Sequence, residues 1–183
     1  MVWPKTIVKA FELALPHGEF DESEYYGPYN GILAHLFPIE EDYLVVPQYK
    51  RPKRSQSVDF TTIFIVRRHK HPVFFIEVKA AGHIEHISSR EEADLLMRER
   101  FRILFEDVDI GVLYGVSAIG SKLCVYTWTK ETGRILPKAI SIDPEYTTDT
   151  APRSRWDVDV LSTEGEERIR GIVAHIKTMC GQL

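Results

Sequence analysis

The chain has 183 residues, 44% of them hydrophobic and 27% charged, with a formal net charge of −4. That supplies one core for a single soluble domain spanning 1–183, and the acidic balance excludes a generic nucleic-acid coat, whose affinity rests on many Lys and Arg. Two cysteines, Cys124 and Cys180, make no disulfide framework, and no run of the sequence suits a membrane span or a signal-peptide core; an intracellular protein, nuclear or cytoplasmic, is expected.

From Pro4 to Leu15 the apolar residues Ile7, Val8, Phe11, Ala14 and Leu15 recur at helical spacing, predicting a short amphipathic helix. An acidic link follows, and YYGPYNGILAHLF predicts a second helix beginning near Pro28 and closing at Pro38. The run YLVVPQY predicts a short strand, which Pro47 confines to a sheet edge or a strand end.

The densest basic segment comes next. Lys50, Arg51, Lys53 and Arg54 stand immediately before an apolar run, where they can guide a phosphate backbone or form a solvated loop. Two strand-like runs, SVDFTTIFIV and VFFIEVKA, then flank the basic turn RRHKHP. Residues two apart on a strand share a face, so Glu77 and Lys79 point one way while Ile76 and Val78 point the other; Asp59 enters on the neighbouring strand. Charges in so apolar a place are costly unless compensated, and two carboxylates beside a lysine suit Mg²⁺ or Mn²⁺ and the activation of water. The basic turn itself falls at the opposite end of the strand from Asp59.

After Lys79, Ser88 or Ser89 can cap a long amphipathic helix whose apolar stripe takes in Ala93, Leu96, Met97, Arg100, Phe101, Leu104 and Phe105. Arg90, Asp94, Arg98 and Arg102 line another stripe, in which Asp94 and Arg98 form an i,i+4 surface pair. His83 and His86, in the loop before it, are left out of the site. DIGVLYGVSAI and KLCVYTWTK predict two more strands, Glu131 to Asp157 an irregular excursion, and Ser162 to Met179 a last helix capped by Ser162 or Thr163.

Asp59 followed by Glu77-Val78-Lys79 resembles the signature of the PD-(D/E)XK nuclease superfamily, with Val58 where the motif's name has proline. The order of elements agrees with that superfamily's α-β-β-β-α-β core. The resemblance therefore implies a restriction-endonuclease-like α/β (α+β) fold: a mixed central sheet of about five strands flanked by helices, with a core at 23–130, a helical N-terminal extension at 1–22 and an irregular segment plus helix at 131–183. YYGPYNGILAHLFP, ADLLMRERF, LYGVSAIGSKLCVYTW and WDVDVLSTEGEERI also resemble a group of functionally uncharacterised fungal proteins placed loosely in that superfamily.

By the same resemblance Asp59, Glu77 and the Val78 carbonyl would hold Mg²⁺ or Mn²⁺, Lys79 would position the attacking water, and Glu24 would add a further acid. Arg98 and Arg102, on the helix after the motif strand, would contact phosphate. The function implied is metal-dependent phosphodiester cleavage of DNA or RNA, with a homodimer if both strands are cut. Two alternatives stay open: the same fold as a catalytically inactive nucleic-acid- or protein-binding module, and a different α/β domain in which Glu77 and Lys79 are a surface ion pair.

Overall fold

The computed structural model describes residues 3–47, 63–143, 145 and 148–183. Helix α1, Lys5–Ala14, starts after Pro4 and buries Ile7, Phe11 and Ala14. Helix α2, Tyr26–Leu36, begins two residues before Pro28 because a 3-10 turn, Glu22–Tyr25, runs straight into it. Asp21 caps that turn, accepting from the Ser23 N–H at 2.9 Å. Pro28 thus falls in the first helical turn, where its missing N–H is not needed.

Strand β1, Tyr43–Val46, lies at the sheet edge, as Pro47 predicts. It pairs antiparallel with β2, Ile63–Arg68, which forms a hairpin with β3, His71–Lys79. The turn residues His69 and Lys70 both carry positive φ, as a two-residue hairpin loop demands. Helix α3, Ile87–Leu104, crosses back over the sheet and returns the chain as β4, Val112–Ile119, parallel to β3. Antiparallel β5, Lys122–Thr129, follows.

The strand count exceeds the expected five. Residues 131–157 were expected to be irregular, yet Arg134–Leu136 pairs with β5 as β6; Val158–Asp159, just beyond them, pairs with its other end as β7. Helix α4, Thr163–Cys180, closes the chain, and its cap is the predicted Ser162, whose Oγ accepts from the Gly165 N–H at 3.0 Å. By contrast α3 starts earlier than Ser88 or Ser89, after His86, and has no side-chain cap.

Every residue of β3 after His71 is buried, because helices cover both faces of this central strand. On one face Phe74 meets Phe37 beyond α2, ring centroids 5.7 Å apart; on the other Phe75 meets Phe101 of α3 edge-on at 4.9 Å. Gly115 on β4 makes the second contact possible: a Cβ there would fall 2.4 Å from Phe75 Cζ and 2.8 Å from Met97 Cε. Both terminal helices contribute to the apolar core. Trp3, Phe11, Ile169, Val173 and Ile176 belong to one continuous apolar cluster with the strands, and Trp3 Nε1 donates to the Val160 carbonyl at 2.7 Å. No helix among the described residues is long and apolar enough to cross a membrane.

Candidate active site

The strand parity read from the sequence holds. Glu77 and Lys79 lie on the α3 face of β3, while Val78, fully buried, points to the opposite face. Glu77 is 0% exposed. Its Oε2 lies 3.4 Å from Nε of Arg100, which reaches in from α3, and among the described residues its Oε1 is sealed from water with no hydrogen-bond partner. Burial raises the Glu77 pKa to about 6; the guanidinium of Arg100 and the ammonium of Lys79 oppose that shift, and the carboxylate of Glu22 adds to it. Lys79 itself is 8% exposed, with Nζ 3.7 Å from Glu92 Oε1 on the first turns of α3.

Of the acids at the start of the N-terminal 3-10 turn, Glu22 and not Glu24 is the one whose charge raises the Glu77 pKa. The two residues lie on different sides of the 3-10 turn: Glu22 is half-buried and accepts from the Tyr26 hydroxyl at 2.8 Å, whereas Glu24 is exposed. The segment before this turn is fastened to the chain just beyond Lys79. The Ala81 N–H donates to the Gly18 carbonyl at 2.8 Å and the Gly82 N–H to the Glu19 carbonyl at 2.9 Å. Gly82 permits that approach, since a Cβ there would lie 2.7 Å from the Glu19 oxygen.

Asp59 lies outside the described residues, as do Lys50, Arg51, Lys53 and Arg54. The backbone register nevertheless sets Ile63, four positions after Asp59, opposite Glu77. No group of three or more His, Cys, Asp or Glu suited to a metal occurs among the described residues. A dehydrated carboxylate with one oxygen unpartnered among the described residues is of the ligand type that a hard divalent cation takes.

Arg98 is not available for phosphate, and it is no surface pair either. It forks onto Asp94 through Nε at 2.8 Å and Nη2 at 3.0 Å, both side chains are about nine-tenths buried, and Nη2 also reaches the Pro137 carbonyl. Asp94 further accepts from the Arg155 guanidinium at 2.7 Å and the Tyr126 hydroxyl at 2.8 Å. Arg90 is likewise buried, donating to Asp149 and to the Ala151 and Ile84 carbonyls. The polar stripe of α3 is therefore a clasp for Pro137, Asp149, Ala151 and Arg155, with Trp156 Nε1 adding a 3.2 Å bond to Ser117 Oγ. Arg102 is exposed in the last turn of α3. Arg100, which spacing assigned to the apolar stripe, is the helix residue that meets the site.

The basic hairpin turn stands at the far end of β3 from Glu77, and Arg68 donates there to the Cys180 carbonyl; its expected separation from Asp59 falls outside the described residues. Both cysteines are buried and free, and burial pushes the Cys124 thiol up to about 12, so Cys124 is no nucleophile in waiting. Searches of protein-family models, of curated proteins and of solved structures give no match to this chain.

Proposed function

We propose that the chain is a metal-dependent phosphodiesterase acting on nucleic acid, with its site around Glu77 and Lys79 at the C-terminal half of β3. The observation that carries the reading is the fully buried Glu77 carboxylate whose Oε1 has no hydrogen-bond partner among the described residues. A folded protein rarely retains such a group unless a ligand or a further part of the chain satisfies it. The succession α2, β1, β2, β3, α3, β4 supports the restriction-endonuclease-like reading.

In this reading Glu77, with Asp59 and the Val78 carbonyl, holds Mg²⁺ or Mn²⁺, and Glu22 takes the place first given to Glu24. The bound cation supplies Lewis acidity towards a phosphate oxygen and lowers the pKa of water. Lys79, nearly buried two residues along the same face, orients the attacking water and screens the phosphate charge. Arg100 holds the Glu77 carboxylate in place and neutralises part of its charge.

The test is cleavage of single- and double-stranded DNA and RNA in Mg²⁺ or Mn²⁺ by the wild type, Glu77→Gln and Lys79→Met, alongside calorimetric Mn²⁺ titration. Loss of cleavage and of Mn²⁺ binding in folded Glu77→Gln is expected; cleavage retained by that variant overturns the assignment. One observation favours a second reading, a catalytically silent binding module: Arg100 and Lys79 already place two cations near Glu77. Absence of Mn²⁺ binding to the wild type at millimolar concentration, with nucleic acid still bound, is the outcome that selects it.

A further inference from the structure

Glu92 reaches Lys79 from α3, its Oε1 3.7 Å from Nζ. Further along the same helix Arg100 reaches Glu77, so α3 and β3 lie side by side with two ion pairs of opposite sense between them. The pairs differ in their access to water. At the first, the strand carboxylate is sealed and the helix guanidinium is one-fifth exposed; at the second, the strand ammonium is nine-tenths buried and the helix carboxylate is 58% exposed. The site therefore opens to solvent at the Lys79 end, and the group standing in the opening is Glu92.

At 3.7 Å the Lys79 and Glu92 side chains are too far apart for a direct hydrogen bond. A water oxygen about 2.8 Å from each fits beside both, accepting from the ammonium and donating to the carboxylate. Lys79 can orient such a water but has no lone pair to receive its proton as an ammonium. Glu92 has the lone pairs. A half-exposed ion pair of this length adds little to stability, so changing Glu92 probes chemistry at small cost to the fold.

We infer that Glu92 is the general base of this site, taking the proton of the water that Lys79 orients. This rests on the phosphodiesterase reading and deepens it. In the step, an O–H bond of the water breaks and its proton passes to Glu92 Oε1. The freed electron pair makes the new bond to phosphorus, the bond from phosphorus to the leaving oxygen breaks, and that oxygen is protonated by solvent. Exposure then lets Glu92 return its own proton to bulk water, ready for the next cycle.

The experiment measures single-turnover cleavage in Mg²⁺, on the strand the wild type cuts, by the full-length wild type, Glu92→Gln, Glu92→Ala and Glu99→Gln, with and without added formate. Glutamine keeps the size of Glu92 and can still accept from Lys79, but it is no base; Glu99, exposed on α3, is the control for loss of a surface acid. A rate roughly a hundredfold lower in Glu92→Gln is expected, with KM and Mn²⁺ binding unchanged, partial recovery of Glu92→Ala by formate, and no change in Glu99→Gln. A wild-type rate in Glu92→Gln overturns the base; if folded Glu77→Gln has lost cleavage and Mn²⁺ binding, the phosphodiesterase reading stands without it. A wild type that cleaves no strand overturns both.

Discussion

Arg100 Nε stands 3.4 Å from Glu77 Oε2, joining a helix residue that is still one-fifth exposed to a strand acid that water does not reach. At that distance the pair is a loose hydrogen bond, and the second carboxylate oxygen has no partner among the described residues. The attraction offsets only part of the desolvation, which is why the acid ends above its usual range. An acid left in such a condition makes the fold sensitive to its protonation.

The Glu77 pKa moves from 4.5 to about 6, so the native state favours the neutral acid. No destabilisation is present below 4.5; it grows as pH rises to 6 and is complete above it, reaching about 2 kcal/mol. Glu77→Gln is expected to be more stable than the wild type by up to that amount at pH 8, with the gap closing near pH 4.5. Urea denaturation at the two pH values checks this.

Removing the charges around Glu77 is expected to move its titration in opposite directions. Arg100→Gln raises the pKa further, Glu22→Gln lowers it, and Glu24→Gln leaves it unmoved, since Glu24 is exposed and is not among the charges that act on it. Carboxyl-carbon NMR titration of Glu77 resolves the three cases.

Asp94 joins Arg98, Arg155 and Tyr126 in a buried network, so Asp94→Ala leaves two guanidinium groups uncompensated. A loss of about 3–5 kcal/mol is expected, read by chemical denaturation, together with faster proteolysis in 137–156. Residual nucleic-acid affinity in folded Arg98→Gln is expected to match the wild type.

Gly115→Ala is expected to destabilise by about 1–3 kcal/mol, because its new methyl would overlap both Phe75 and Met97. Met97 belongs to α3 and Phe75 rests against it, so amide exchange in the turns carrying Met97 and Phe101 should quicken first.

Much of this could be read in advance where a local rule operated. Alternation placed Glu77 and Lys79 together, Pro47 marked an edge, and Ser162 capped the last helix. What escaped depended on partners remote in sequence. Arg100 shares the helical spacing of true core residues, and only the position of β3 shows that its guanidinium meets a buried acid. Asp94 and Arg98 have the spacing of an ordinary surface pair, and their burial comes from residues 39 to 61 positions away folding over them. Likewise β6 and β7 contain too few residues to announce themselves, and exist because β5 has edges to offer.

The hydrogen bond from Trp3 to Val160 spans 157 positions. On a ribosome the first helix emerges long before the residue that fixes its end, and the clasp on α3 waits for residues 149–156 in the same way. Helices α1 and α3 therefore reach their final packing only once residues 149–160 have been made, a late closure expected of so non-local a set of contacts.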